Sequence, residues 1–224
     1  MSSFGGAFTF IGRDGQVPGA PPLPSLVHLT LGTLEVSALG IAIAAAIAIP
    51  LGIWLGHIHR GSFVAINLGN LGRALPSLAV LAIAIAFLGL GLANVEFALV
   101  VLAIPPIVTN AYVAVDRVER ELVDAARGMG MTELQIVRRV ELPLAVPLLF
   151  AGLRTAAVLV VATTTISALT GYSGTLGDVI ANETSYRLSG VLGAAICGAG
   201  LALAVEVALA GAQRALTPRA LRLR

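Results

Sequence analysis

Charge is scarce in this chain, and the places where it gathers are the places where chemistry can be done. Of 224 residues, 57% are hydrophobic and only 12% are charged. Seven charged side chains nevertheless fall in the dozen positions that begin at Asp116, inside a polar stretch, 116–143, reading DRVERELVDAARGMGMTELQIVRRVELP. Apolar runs of membrane length flank it on both sides. A charged segment of this size cannot sit in hydrocarbon. It must face water, and the chemistry it offers is docking to a partner.

Other candidate groups are fewer. The chain has no Lys and no GxxxxGK[ST] run, so it cannot supply the lysine of a P-loop. His28, His57 and His59 raise the question of a metal. The last two are only two apart, with no Cys or carboxylate beside them in sequence, and read better as boundary residues. Glu35 and Glu206 lie in or near apolar runs, where a carboxylate is a functional candidate by default. Neither has a basic residue spaced to pair with it within its own helix, so contact with another helix or subunit is expected. Asn110, Tyr112, Thr163, Thr164, Thr165 and Ser167 are polar groups in two of the runs. Small hydroxyls commonly bond back to their helix or across an interface. The other reading makes Asn110, Tyr112, Thr163, Thr164 and Ser167 the lining of a substrate path, with Tyr112 offering a cation–π surface. Aromatics are too few in these runs to build a cage. The single Cys197 reads as a small buried hydrophobe.

The elements that must position these groups are helices. A soluble domain carries about 25% charged residues. The deficit here, with a mean hydropathy of +0.94, argues for an all-α polytopic membrane protein. Five apolar runs are expected as transmembrane helices, at 29–55, 74–92, 95–112, 144–169 and 191–213, within a membrane domain covering 26–213. Residues 1–25 lack a basic n-region and do not read as a cleavable signal; Gln16 to Pro24 should be extended and exposed. Residues 214–224 form a basic tail. Arginine chooses the sides. Arg60, Arg73, Arg117, Arg120, Arg127, Arg138, Arg139, Arg214, Arg219, Arg222 and Arg224 fall in one set of loops, and Arg13 and Arg187 in the other. The N-terminus is therefore expected outside, with 116–143 and the C-terminus cytoplasmic. Arg154, early in the fourth run, would snorkel toward the basic side.

Within the central stretch, Val115, Val118, Leu122, Ala125 and Met129 recur at helical spacing and predict one apolar face. Gly128 and Gly130 break that helix, Gly130 in a left-handed conformation. Thr132 and Gln135 have capping-box spacing, so a second helix should start there, with Ile136, Val137 and Val140 on one side. Pro143 and Pro147 predict a turn before the chain re-enters the bilayer. The Gly-rich loop 171–190 contains TLGDVIA at 175–181, too short to span, read as a surface-lying or partly re-entrant helix.

Asp124-Ala125-Ala126, three residues, Gly130, nine residues, then Val140-Glu141-Leu142-Pro143 resembles the EAA loop of ATP-binding-cassette importer permeases. That motif reads Glu-Ala-Ala, three residues, Gly, nine residues, Ile, any residue, Leu-Pro; here Asp replaces Glu and Val replaces Ile. ALPSLAVLAI, IPPIVTNAYVAVDRV, ELVDAARGMGMT and ELPLAVPLLFAGLRTA extend the resemblance to permeases for glycine betaine, choline and related osmoprotectants. It covers 72 to about 180 and the fifth run; GYSGTLGDVI at 171–180 departs through Tyr172, Ser173 and Thr175. The resemblance implies a type I (MetI-like) importer core of about five helices in a bacterial plasma membrane. It would be non-catalytic and bind no cofactor, with ATP and Mg on partner ATPase subunits. Its other partners would be an extracytoplasmic substrate-binding protein and a second permease copy or paralogue. The coupling residues would be Glu121, Asp124, Ala125, Ala126, Arg127, Gly128, Met129, Gly130, Val140, Leu142 and Pro143, and an outer gate would involve Gly174, Leu176 and Gly177. An amino-acid importer of the same architecture and an ion-coupled carrier acting alone are the rival readings.

Overall fold

The computed structural model describes residues 3–17, 20, 24–59 and 61–217, and every regular element in them is helical. In chain order these are α1 (Ser3–Gly12), α2 (Leu26–His57), α3 (Ser62–Ala74), α4 (Ser77–Leu88), α5 (Leu92–Asp116) and α6 (Arg120–Gly128). Next come α7 (Glu133–Ile136), a π-helical segment (Val137–Glu141), α8 (Leu142–Thr164), a 3₁₀ turn (Ser167–Thr170), α9 (Gly177–Ile180) and α10 (Glu183–Leu216). Among the described residues four helical runs are long and apolar enough to cross a membrane: α2, α5, Glu133–Thr164 and α10. The run expected at 74–92 yields only the 12-residue α4. Pro76 precedes it in extended backbone, and Gly89 and Gly91 end it at positive φ. Twelve residues span about 18 Å, short of a hydrocarbon core of about 30 Å. α2 and α5 both run through prolines, Pro50 in one and Pro105-Pro106 in the other.

The chain divides into two compact units. The first comprises Met1–Ala42, Leu75–Leu102 and Ala157–Val205. One of its cores gathers Phe10, Leu26, Leu29, Leu176, Val179, Tyr186 and Ala194. The N-terminal segment is thus partly structural, in contrast to its featureless sequence. α1 buries Ala7 and Phe10, and Asp14, at φ +52°, accepts the Leu26 N–H at 2.8 Å at the start of α2. A second core packs Val80, Leu81 and Ala84 of α4 on Ala98 and Leu102 of α5. Polar ties cross this unit as well: Ser37 meets Thr164 at 3.0 Å, and Thr33 Oγ1 accepts the Leu176 N–H at 3.0 Å. The segment 175–181 is packed inward along most of its length. Thr175, Leu176, Gly177 and Val179 are buried, and α9 is a four-residue helix packed inward. Burial raises the Asp178 carboxyl above its usual range, opposed in part by hydrogen bonds from the Gly174 and Thr175 backbone. α10 begins earlier than the expected 191, and Arg187, at φ +59°, kinks it near its start.

The second unit comprises Ile43–Ala74, Ala103–Ala156 and Glu206–Arg224, of which the basic tail beyond Thr217 lies outside the described residues. Small residues let its helices approach. A Cβ on Gly52 would sit 2.5 Å from the Ala111 Cβ, and one on Gly152 would sit 2.6 Å from the Asn110 Cβ. Two apolar clusters fill it, one around Ala111, Val115, Ala145 and Leu149, the other around Val118, Val123, Ala126 and Ile136. Arg154 is held by two groups of α10. Its Nε donates to Glu206 Oε1 at 2.7 Å, Nη2 reaches the same oxygen, and Nη1 reaches Gln213 at 3.3 Å. The contact with another helix expected for Glu206 is thus made to α8.

In the first unit the backbone of Gly32 faces the Gly174 carbonyl so closely that a Cβ there would overlap it. Gly32→Ala should therefore cost about 1–3 kcal/mol. A thermal melt of the purified protein should show a lowered Tm. Gly200→Ala, with nothing within 4 Å of the added Cβ, should leave Tm unchanged or raise it.

Candidate coupling site

The charged stretch folds as two short helices around a glycine, and each end is fixed by a nameable device. α5 stops at Asp116, and α6 starts four residues later. Its end is closed by the Met129 N–H donating to the Ala125 carbonyl, after which Gly130 turns the chain at φ +80°. Thr132 and Gln135 form a full capping box at the start of α7: Gln135 Oε1 accepts the Thr132 N–H at 2.9 Å, and Thr132 Oγ1 accepts the Gln135 N–H.

Two expectations fail here for identifiable reasons. The predicted apolar face is split. Val115 and Val118 are buried, but Leu122 is 45% exposed, Met129 is 72% exposed and Ala125 is exposed. The buried side of α6 is Val123 and Ala126. Helical periodicity cannot be carried from Val115 to Met129, because the helix is interrupted between Asp116 and Arg120 and the count restarts. Nor is there a turn before α8. α7, the π segment and α8 make one helical run from Glu133 to Thr164. The π segment's wider hydrogen-bond ring accommodates the residues around Pro143, which lacks an N–H. Ile136 is fully buried beside the half-buried Val137 and Val140, while Gln135, Arg138 and Arg139 are exposed, as the spacing predicts.

A chain of charges ties this assembly to α2. Glu141, 1% exposed, presents both carboxylate oxygens to His57 Nδ1 at 2.9 Å. The other ring nitrogen, Nε2, lies 3.2 Å from Glu133. The imidazole thus stands between two carboxylates, one facing each ring nitrogen. Glu133 is bidentate on Arg127, at 2.9 and 3.0 Å, and Arg127 also reaches Asp124 at 3.4 Å. His59 pairs with Asp116 at 3.0 Å. The two histidines that looked isolated in sequence are thus each held by carboxylates from other elements. Among the described residues no group of three or more His, Cys, Asp or Glu is arranged to hold a metal ion. A cleft of about 270 Å³, lined by His59, Arg120, Val123, Asp124 and Arg127, opens beside α6. Glu121 and Gly128 are exposed on α6, Leu142 and Pro143 are half-buried.

The polar groups expected along a path are divided between the two units. In the first, Thr163 donates to the Leu159 carbonyl, Thr164 to the Val160 carbonyl, and Ser167 meets Thr175 at 3.3 Å. In the second, Asn110 donates to the Pro106 carbonyl, and Tyr112 is 5% exposed. Of the gate residues, Gly174 has φ +99° and donates its N–H to Asp178 at 2.6 Å, and Leu176 is fully buried. Gly177 packs so that a Cβ would lie 2.7 Å from the Thr165 carbonyl. Glu35 is exposed, with no polar partner among the described residues. Sequence reasoning missed two carboxylates. Glu141 occupies the motif's unspecified position, so nothing in the pattern marked it. Glu96, buried at the start of α5 with neither oxygen hydrogen-bonded, was legible as an acidic residue entering an apolar run.

Regular elements that are all helical among the described residues, several of membrane length, with a capped, charge-tied loop between two of them, are the architecture of a polytopic membrane protein. Residues 48–222 match the family described as binding-protein-dependent transport system inner membrane component, and the chain belongs to it. It is similar to the carnitine transport permease protein OpuCB of Listeria monocytogenes, 38% identical across 88% of this chain and 91% of that one. It is also similar to the choline transport system permease protein OpuBB of Bacillus subtilis, 34% identical across 86% and 89%. The fold matches a chain of the MetNI methionine ABC transporter in an inward-facing conformation, with TM-score 0.74 and 23% identity, across 86% of this chain and 96% of that one.

His57 is the side-chain partner of a fully buried carboxylate, and removing one member of such a buried pair strands the other. His57→Ala should destabilise the protein by about 3–5 kcal/mol. Adding Glu141→Gln to that variant should recover a substantial part of the loss. Thermal melts of the single and double variants check both statements, and additive losses would refute the pairing.

Proposed function

We propose that this chain is the membrane permease subunit of an ATP-driven, binding-protein-dependent importer of osmoprotectants: glycine betaine, choline, carnitine or related quaternary amines. The observation that carries the coupling role is the side of the loop left unpartnered. Leu122, Met129 and Leu134, 45%, 72% and 66% exposed, stand among the charges of Glu121, Asp124 and Arg127. An apolar strip rimmed by charge at a water-facing loop is an interaction surface. Its occupant is an ATPase subunit, since this chain has no lysine with which to cradle nucleotide phosphates. The relatives' names supply the substrate class.

In this reading the coupling residues have different tasks. Glu121, Asp124, Ala125 and Met129 meet the ATPase; Ala126 and Val140 pack the lever; Arg127 braces it through Glu133; Gly128 and Gly130 end α6; and Leu142 and Pro143 carry movement into α8. Nucleotide-driven closure of two ATPase subunits, which hold ATP and Mg, biases the helices between two states of access. The chain sits in the bacterial plasma membrane with its N-terminus outside and its C-terminus cytoplasmic, following the arginine asymmetry. A second permease copy or paralogue completes the path, and Gly174, Leu176 and Gly177 belong to an outer gate beneath the binding protein. The hydroxyls of Thr163, Thr164 and Ser167 are already engaged, Thr163 back on its own helix and Thr164 and Ser167 as ties to Ser37 and Thr175.

Reconstitution with the ATPase and binding protein tests this. Choline, glycine betaine or carnitine should stimulate ATP hydrolysis and enter the vesicles. Stimulation by an amino acid alone would move the chain to the rival importer class, and gradient-driven uptake without ATPase would make it a carrier. Met129→Asp combined with Leu122→Asp should cut co-purification of the ATPase by about tenfold or more, as expected for loss of apolar anchors. Undiminished co-purification would overturn the docking surface.

A further inference from the structure

Glu96 is 9% exposed, and neither of its carboxylate oxygens has a hydrogen-bond partner. It lies in the first five residues of α5, a helix long and apolar enough to cross a membrane. Its carboxylate rests against the backbone of α2 at Gly40, where an added Cβ would stand 3.2 Å from Oε2 and 3.0 Å from the Leu99 Cβ. The absent side chain at Gly40 is what leaves room for it. An unpaired ionised carboxylate out of water is costly, so the group is stable there only as the neutral acid or beside a cation. Among the described residues no basic group lies within ion-pair distance.

We propose that Glu96 is a cation-recognition point for the alkylated ammonium group of the transported solute, engaged when α2 and α5 part at Gly40. This rests on the osmoprotectant reading. The surroundings select the kind of cation. Calcium takes six to eight oxygen ligands and magnesium near-octahedral coordination. One carboxylate against Gly40 and Leu99 cannot offer that. A primary ammonium would bring three N–H donors to be satisfied. A quaternary ammonium brings charge without N–H donors and methyl groups that tolerate aliphatic walls. The attraction is then purely Coulombic, enough to admit the ion and weak enough to release it. In the proposed orientation this end of α5 is the outer one, where the binding protein delivers its cargo.

The test uses the reconstituted complex of permease, ATPase and binding protein. Glu96→Gln keeps the shape and removes the charge; it should lower the maximal rate of choline uptake about tenfold or more while leaving basal ATP hydrolysis within about twofold. Glu96→Asp should keep a larger share of uptake than Glu96→Gln. Uptake by Glu96→Gln within about twofold of wild type would overturn the assignment while the substrate reading stands. Should the variant fail to assemble, the wild-type complex decides. An apolar carbodiimide should label Glu96 during turnover, and saturating choline should suppress that labelling. Labelling indifferent to choline, or none, overturns the proposal. If the wild-type complex moves no quaternary amine, the substrate reading itself falls, and this assignment with it.

Discussion

A carboxylate buried to 1% exposure at the foot of a long apolar helix demands a polar partner, and the loop's attachment to α2 depends on how that demand is met. Glu141 has His57, at the last residue of α2, and through it Glu133 and Arg127. The network makes the end of α2, the capped start of α7 and the hinge-side end of α6 one mechanical piece. Apolar packing of Val118, Val123, Ala126 and Ile136 holds the same elements but gives no direction. The charges do, because hydrogen-bond geometry is specific where dispersion is not.

Much of this was readable before any coordinates. The loop's charge, its glycine break, the capping box at Thr132 and the apolar side of Ile136 follow from local rules, and local rules hold where a segment is short and self-contained. The family pattern added the expectation of a coupling role and of partner subunits. What sequence could not show depends on contacts between distant residues. His57 and Glu141 are 84 positions apart, and Arg154 and Glu206 are 52 apart. α1 gave no signal because its stabilisation comes from Tyr186 and Ala194, near the other end of the chain.

The two misreadings within the loop share one cause. Extrapolating a helical period through Val118 and Glu119 put Leu122 and Met129 inside, and reading Pro143 as a stop put a turn where the helix continues. Both treat backbone hydrogen bonding as uniform along the chain. It is interrupted in the first case and widened in the second. The exposed face of α6 exists only because of that interruption.

The π segment Val137–Glu141 has one more consequence. Each residue of a regular α-helix turns the chain by about 100°. A single wide turn absorbs roughly one additional residue, so the side chains of α8 are clocked by about a quarter-turn against those of α7. The nine residues between Gly130 and Val140 are therefore a measure of angle as much as of distance. They let Ile136 and Glu141 both point inward, one toward oil and one toward an imidazole, on what would otherwise be different faces of the same rod.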